Sequence, residues 1–396
     1  METPHWPYPI LRLKPGKESV LSKHHPWVFS GALAEAPSSH LVRLADASGN
    51  VLGVGTASPS NPLAVRVFRF EDRPLDAEWF RERFTAALEL RKLLGQDGAE
   101  SGFRWVFGEG DFLPGLVIDR YAQALVMQVG TAGLEALRET WWPVLFELAK
   151  ADGCTVFVER SQSGRKEEGL DPVNRLLKGS LGGPLVIREG AAQLSVDLLK
   201  GQKTGFFLDQ REHRLSVGRV SRDCRVLNAF GYTGGFSIHA GLGGAREVAT
   251  LDISAPALDQ ADRDWALNGL EPERHLRLQG DAFELMRGLE PRSWDRVIVD
   301  PPAFAKQRKD VDAAFKAYKD VFRLGALATA PGGMLWCFSC SQHLERTRFQ
   351  EAVWTALLEA QREAQVISHL GQPMDHPYGL NHPEGFYLKG LWLRLT

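Results

Sequence analysis

The sequence lacks long apolar runs, has few cysteines and carries almost no net charge. No stretch approaches the roughly eighteen consecutive apolar residues of a membrane-spanning helix, so none is expected. The N-terminus, Met-Glu-Thr-Pro-His, has no basic segment followed by an apolar core, so no secretory signal peptide is expected. Four cysteines in 396 residues exclude a disulfide framework and indicate a reducing, cytoplasmic compartment. A formal net charge of −2 argues against a uniformly basic surface but not against a local basic track.

What the sequence does contain is a glycine-rich turn in Arg225-Val-Leu-Asn-Ala-Phe-Gly-Tyr-Thr-Gly-Gly-Phe236. The segment before the turn is typical of a buried strand, and a helix is expected from Phe236 onward. Glycines at 231, 234 and 235 permit positive φ angles and a close ligand approach. This is where α/β proteins bind nucleotide-like ligands, although an ordinary strand-to-helix turn would have the same composition.

Downstream, the same unit of strand, acidic residue and helix is repeated. A second strand ends in Asp252, which can accept hydrogen bonds from the two hydroxyls of a ribose, and Ser254 is expected to cap the next helix. A third unit leads to Asp281, which could reach an adenine amino group. Further strands end at Asp300 and Ser339. The pattern predicts an α/β fold with a doubly wound parallel sheet.

The spacing of the glycines does not fit a dinucleotide site. Gly231, Gly234 and Gly235 do not form Gly-x-Gly-x-x-Gly, and there is no glycine loop of the size needed for a pyrophosphate. A single adenosine with a short charged tail fits better, and S-adenosylmethionine is such a ligand.

Composition divides the chain into three expected domains. Residues 1–72 contain short strands separated by turn residues, and seven basic residues face four acidic ones up to residue 70. Lys14, Lys17 and Lys23 are candidate RNA contacts in this part, against the alternative of a solvated β surface. Residues 73–185 are predicted to be a small α+β domain, with a helix over 134–151 that Pro143 is expected to kink or divide. Residues 186–396 hold the repeated units.

The loop Gly201-Gln-Lys-Thr-Gly-Phe-Phe-Leu-Asp-Gln-Arg-Glu-His-Arg214 directly precedes the first strand of the sheet. Its position suggests that Gln202, Lys203 and Phe207 lie across the mouth of a ligand site. The alternative is that its aromatic pair belongs to the core and its charges to the surface.

Asp300-Pro-Pro-Ala-Phe304 follows the fourth strand, which we expect beside the first across a topological switch point. The two prolines hold the backbone rigid, so that Asp300 can bond the polar edge of a heterocycle and Phe304 can stack on a base. The basic residues that follow form either a phosphate track or a solvated helix face; they are Lys306, Arg308, Lys309, Lys316, Lys319 and Arg323.

Cys340, in Ser339-Cys-Ser341, is the candidate nucleophile because it lies at the end of the fifth strand. Cys337 and Cys340 point to opposite faces of a strand, which argues against a metal pair, and no metal site is predicted. A thiolate that adds to carbon 6 of a pyrimidine makes carbon 5 nucleophilic, whereas methylation of an amine or ring nitrogen needs no such addition. A buried structural cysteine is the alternative.

At this point the chain resembles the bacterial S-adenosylmethionine-dependent ribosomal RNA large-subunit (cytosine-5)-methyltransferases with an N-terminal PUA domain. The resemblance is carried in chain order by His25–Gly31, Gly110–Asp119, Gly201–Arg211, the Asn228 turn, Asp300–Phe304, Ser339–Ser341 and Asn381–Glu384. It implies a C-terminal Rossmann-like class I methyltransferase domain, an N-terminal PUA-like β-barrel and a central small α+β domain.

The resemblance also implies the site. Cys340 and Asp300 become catalytic, and the expected S-adenosylmethionine contacts are Gln202, Lys203, Phe207, Asn228, Phe230, Tyr232, Gly234, Asp252, Ser254, Asp281, Ala282 and Asp300. Asn228 stands where methyltransferases usually have an acid. Ala303 and Phe304 stand where other RNA cytosine-5 families have a second cysteine, so release of the enzyme needs another base.

The implied partner is large-subunit ribosomal RNA, with no membrane and with a homodimer left open. Two alternatives remain at this stage. One is a guanine N2 or N7 rRNA methyltransferase in which Cys340 is structural. The other is an RNA-binding assembly factor with a degenerate cofactor pocket, against which the acids at 252, 281 and 300 argue.

Overall fold

The computed structural model describes residues 6–162, 164–305 and 307–396, and the chain forms two compact units. The first unit runs to Ile187 and also includes Val196–Leu208 and Met374–Gly385. The second consists of Arg188–Ser195, Asp209–Pro373 and Phe386–Thr396. The hairpin β11–β12 (Leu185–Glu189 and Ala192–Val196) lies where the chain passes between them. The division into three domains stays a prediction.

The first unit begins with a five-stranded sheet in the order β1-β3-β4-β5-β2. Arg43 stands between the buried Val42 and Leu44, and Arg66 stands between the buried Val65 and Val67; these four apolar residues form much of the buried face. The short strands expected in this part of the chain are therefore confirmed. The elements are β1 (Ile10–Arg12), α1 (Ser19–Ser22), β2 (Trp27–Phe29), β3 (Leu41–Ala45), β4 (Val51–Ala57) and β5 (Leu63–Arg69).

A second sheet of the first unit has the order β10-β9-β8-β7-β6. It shares one core with the first sheet, in which Leu41 and Phe68 lie together with Phe80, Trp105 and Trp141. The elements are α2 (Ala77–Leu93), β6 (Gly102–Phe107), β7 (Leu116–Tyr121), β8 (Ala124–Val129), α3 (Ala132–Ala136), α4 (Arg138–Ala151), β9 (Val156–Glu159) and β10 (Arg175–Lys178).

The helix predicted over 134–151 is divided, but not at Pro143. The break lies at Leu137, and α4 continues through Pro143. The Trp141 indole N–H donates to the Leu134 carbonyl at 2.9 Å and so joins α4 to α3 across the break.

The second unit is built on a seven-stranded sheet in the order β15-β14-β13-β16-β17-β19-β18. Its strands are β13 (Arg225–Ala229), β14 (Glu247–Asp252), β15 (His275–Gln279), β16 (Trp294–Val299), β17 (Thr329–Ser339), β18 (Ala364–Gly371) and β19 (Lys389–Leu395). Its helices are α5 (Arg211–Arg219), α6 (Gly235–Leu242), α7 (Ala255–Leu267), α8 (Ala282–Arg287), α9 (Val311–Ala328) and α10 (Arg346–Glu359).

The strand order confirms the expected switch point, because β13 lies between β14 and β16 and pairs in parallel with both. The five strands predicted for the parallel sheet, β13 to β17, do pair in parallel, and the sheet continues beyond β17 with two antiparallel strands, β19 and β18. Four of the eight residues of β18 are exposed, so this edge strand lacks the apolar run that marks a buried parallel strand. Within the described residues, no helix has the length and apolarity to cross a bilayer.

Candidate active site

The glycine turn after β13 holds its backbone in an unusual conformation. Phe230, Tyr232 and Gly234 all have positive φ angles, of 59°, 48° and 76°. At Gly234 a side chain is also excluded by space, because a Cβ would lie 2.8 Å from the Cβ of Ala261. Left-handed conformations at non-glycine residues cost free energy and cluster at functional sites. The conformation of this turn therefore indicates a functional site as well as a connection between β13 and α6.

Asp252, at the end of β14, is bound to this turn. Its carboxylate accepts the backbone N–H of Tyr232 at 2.8 Å through one oxygen and that of Ser254 at 2.9 Å through the other. An ionised carboxylate has about four acceptor positions, so both oxygens can still accept from a ribose diol. Ser254 is the N-cap of α7, as predicted, with Pro256 in the first turn. The arrangement fits the adenosine part of S-adenosylmethionine.

Asp281 and Ala282 lie at the next strand end. Asp281 caps α8 by accepting the Glu284 N–H at 3.1 Å and remains exposed, while Ala282 is buried at the first helical position. The first-turn N–H groups of a helix have no partner within the helix, so this position can offer donors to a heterocycle.

A row of aromatic rings runs along these strand ends. Phe230 meets Phe283 at a centroid distance of 6.3 Å, Phe283 meets Phe304 at 6.1 Å, and Phe304 meets Tyr318 at 4.7 Å. The row joins the turn after β13 to α8, to the segment after β16 and to α9. It supplies flat apolar faces of the kind on which bases stack.

Asn228 is buried in β13 and is used internally. Its Nδ2 donates to Ser237 Oγ at 3.0 Å, and Ser237 bonds Thr250 at 2.7 Å, which ties α6 to β13 and β14. Its Oδ1 has no hydrogen-bond partner among the described residues, so an acceptor is left at the place where the resemblance expects the methionine amino group. That contact stays a prediction.

Asp300 is held by a polar pair that the sequence patterns did not single out. Gln210 donates from Nε2 to Asp300 Oδ2 at 2.9 Å, and its Oε1 lies 2.5 Å from His213 Nδ1. An amide oxygen only accepts, so His213 must carry its proton on Nδ1. Burial lowers the pKa of His213 to about 4, which keeps the ring neutral. Gln210 belongs to the Gly201–Arg211 motif, so this motif was the available signal.

Cys340 follows β17 and is partly exposed, whereas Cys337 within the strand is fully buried, as the strand periodicity predicted. Next to it, Ser341 Oγ accepts the Ala305 N–H at 3.2 Å and lies 2.8 Å from the Tyr318 hydroxyl. The Tyr318 hydroxyl also donates to the Pro302 carbonyl at 3.4 Å. The segment carrying Cys340 and the segment carrying Asp300 are therefore bonded to each other.

Gln202, Lys203 and Phe207 belong to the first unit. Lys203 has a φ angle of 52°, and its ammonium group lies 4.6 Å from the centroid of the Phe207 ring. Within the same unit, Thr204 donates to Asp119 at 2.5 Å and anchors the loop on β7. Their predicted contact with the cofactor stays a prediction.

The charge excess up to residue 70 overstates the free positive charge. Arg43, Arg66 and Arg69 are paired with Asp72, Glu168 and Glu71, acids that lie beyond that stretch. Lys14, Lys17 and Lys23 are exposed, as are Arg308 and Lys309 of the second unit, while Lys306 lies outside the described residues. Farther along the suggested phosphate track, Lys319 and Arg323 are paired with Glu359 and Asp320.

The chain matches two family models. Residues 170–357 match that of the S-adenosylmethionine-dependent methyltransferases, and residues 11–70 match that of the PUA-like domains. Among solved structures, a Streptococcus mutans protein assigned as a SAM-dependent methyltransferase superposes with a TM-score of 0.83 at 20% identity, covering 98% of this chain and all of that one. The methyltransferase SMU.776, solved with SAH, superposes with a TM-score of 0.84 at 19% identity, covering 98% of this chain and 100% of that chain. The fold is thus a class I methyltransferase fold with an N-terminal PUA-like domain, and the cofactor is S-adenosylmethionine.

Among curated proteins, ribosomal RNA large subunit methyltransferase I of Shewanella amazonensis is 39% identical over 97% of this chain and 99% of its own length. The protein of the same name from Alteromonas mediterranea is 38% identical over 97% of this chain and 98% of its own length. At this identity and coverage, the chain belongs to the ribosomal RNA large subunit methyltransferase I family.

Proposed function

We propose that this protein methylates carbon 5 of a cytosine in large-subunit ribosomal RNA through a covalent bond to Cys340. The RNA class is that named for its relatives. The cytosine is supported by one observation above all. A partly exposed thiol follows β17, and its neighbour Ser341 is hydrogen-bonded, directly and through Tyr318, to the segment that carries Asp300.

The adjacent strand ends supply two complementary groups. β16 and β17 pair in parallel, so their carboxyl ends open on the same side of the sheet as the turn after β13. Asp300, oriented by Gln210, can accept from the exocyclic amine of cytosine, and the aromatic row offers a face on which its ring can stack. The thiolate of Cys340 then adds to carbon 6 and makes carbon 5 nucleophilic. S-adenosylmethionine, when bound, supplies the methyl group as an electrophile.

The direct test compares two cysteines that differ in position. Cys340→Ala should abolish methyl transfer to large-subunit rRNA and leave S-adenosylmethionine binding unchanged, because its side chain acts on the base. Cys337→Ala is the matched control, since its buried side chain takes no part in the chemistry and should leave transfer intact. Transfer of labelled methyl groups and calorimetry measure the two effects.

A second test traps the intermediate. Wild-type protein should form a denaturation-resistant adduct with RNA that carries 5-fluorocytidine at the target, because fluorine prevents the final elimination from carbon 5. Mass spectrometry of nucleosides from a strain that lacks the protein identifies the target. Full activity of Cys340→Ala, together with the absence of an adduct, would overturn the cytosine assignment and favour methylation of a guanine nitrogen.

A further inference from the structure

Lys389, the first residue of β19, is a buried lysine that the proposed reaction does not yet use. Its side chain is only 3% exposed, which is unusual for lysine. β17 and β19 are antiparallel neighbours in which Ser339 stands opposite Lys389, so the two side chains share one face of the sheet. The ammonium group donates to the carbonyl of Ser341 at 2.8 Å. Lys389 thus reaches around the strand end on which Cys340 lies.

The electrostatics of this place couple the two groups. Burial lowers the pKa of Lys389 to about 8, while the negative charge of a Cys340 thiolate acts in the opposite direction and raises it. The ordinary pKa of a cysteine thiol is about 8.5. A lysine lowered to this range can exchange a proton with a thiol near neutral pH, whereas an exposed lysine would stay protonated.

Three other ionisable side chains lie near Lys389 or Ser341. Burial raises the pKa of the Tyr318 phenol on α9, so that it stays protonated. Arg346 of α10 and His369 of β18 line a shallow recess together with Lys389.

We propose that Lys389 is the positioning base of Cys340: its amine takes the proton of the thiol and holds the resulting thiolate as an ion pair. One proton moves from Sγ to Nζ, a thiol and an amine become a thiolate and an ammonium ion, and no electron is transferred. The use of this thiolate as a nucleophile rests on the proposed cytosine chemistry, whereas the proton transfer itself does not.

The test is the pH dependence of Cys340 alkylation by iodoacetamide in the whole protein without RNA, read by mass spectrometry of the Cys340 peptide. Replacing Lys389 by Met removes both the proton acceptor and the charge, so the midpoint should rise by about one pH unit or more and the rate at pH 7 should fall about tenfold. Lys389→Arg keeps a positive charge and should return the midpoint toward that of wild type. Burial raises the pKa of the remaining thiols, Cys154, Cys224 and Cys337, so they react little at this pH.

An unchanged alkylation midpoint in folded Lys389→Met, or a Lys389→Arg midpoint equal to that of the Met variant, would overturn the assignment. Thermal unfolding shows which variants are folded. If Lys389→Met does not fold, the alkylation midpoint of Lys389→Arg is compared with that of wild type. The 5-fluorocytidine adduct tests the cytosine chemistry separately. A shifted alkylation midpoint in Lys389→Met, without an adduct in the wild-type protein, would refute the cytosine chemistry and still support the proton transfer.

Discussion

Replacement of Asp252 by alanine should weaken S-adenosylmethionine binding more than any other single change at the end of β14. The carboxylate already accepts the N–H groups of Tyr232 and Ser254 at 2.8 and 2.9 Å. Its remaining acceptor positions are those that we assign to the two ribose hydroxyls. Alanine removes these acceptors and also frees the turn that contains the left-handed Phe230 and Tyr232.

The expected loss follows from the kind of bond removed. A hydrogen bond to a charged group contributes about 1.5–3 kcal/mol, and about 1.4 kcal/mol corresponds to a factor of ten in affinity. Loss of the ribose contacts should therefore weaken binding on the order of ten- to a hundredfold. Isothermal calorimetry with S-adenosylhomocysteine measures this directly and needs no RNA. Asp252→Asn keeps one carbonyl oxygen and should lie between wild type and Asp252→Ala.

Asp259→Ala provides the matched control. Asp259 is an exposed acid on α7 that pairs with Arg277, and its removal takes the same charge from the same part of the unit. Its affinity should stay within about twofold of wild type, because exposed ion pairs contribute at most about 1 kcal/mol to stability and none of that reaches the ligand. Equal affinities for Asp252→Ala and wild type would refute the ribose assignment. Equal losses of affinity in Asp252→Ala and Asp259→Ala would show that the loss comes from the removed negative charge and not from ribose contacts.

Three further outcomes are expected. Gln210→Leu removes one donor to Asp300 and the acceptor of the His213 N–H, and it should lower the free energy of unfolding by about 1–3 kcal/mol in chemical denaturation. The double variant with His213→Phe should cost less than the sum of the two single changes, and strict additivity would contradict the bridge. The lowered pKa of His213 means that its contribution to stability is complete above its ordinary pKa of 6.5 and is lost as the pH falls toward 4, by about 3 kcal/mol, so His213→Phe should flatten this part of the stability curve. Alanine at the exposed residues Lys14, Lys17 and Lys23 should reduce the slope of RNA affinity against salt concentration, on logarithmic axes, by up to about 2 or 3. The matched control replaces three other exposed lysines of the first unit, Lys92, Lys150 and Lys178, and should leave this slope unchanged.

The structure also decides how the last experiment must be designed. Residues up to 70 share a core with the second sheet of the first unit, in which Leu41 and Phe68 lie with Phe80 and Trp105. Deleting them would expose this core and confuse loss of folding with loss of RNA contacts. Point substitutions at exposed lysines avoid this, because surface changes away from special features alter stability by about 0.5 kcal/mol or less.

Local patterns were sufficient wherever the physical constraint is local. The turn around Gly234, the Ser254 cap and the strand ends at Asp252 and Asp300 could be predicted because backbone conformation, capping and side-chain alternation depend on neighbouring residues. The switch point between β13 and β16 followed from the order of the units, since parallel strands require crossovers of one hand. The buried position of Cys337 and the partly exposed position of Cys340 followed from the period of a strand.

Only the tertiary structure decided which residues that are distant in sequence form hydrogen bonds and ion pairs. Gln210 and Asp300 are 90 positions apart, Ser341 and Lys389 are 48 apart, and Arg66 and Glu168 are 102 apart. Nothing in a local pattern distinguishes a glutamine that orients a carboxylate, a lysine buried beside a thiol or an arginine neutralised by a remote acid from ordinary polar residues. Hydrogen bonds and ion pairs act over a few ångströms, so they exist only after the sheet order has brought their partners together. The sequence by itself therefore determined the elements and the residue types of the site, and the packing of β13, β16, β17 and β19 decided which side chains meet there.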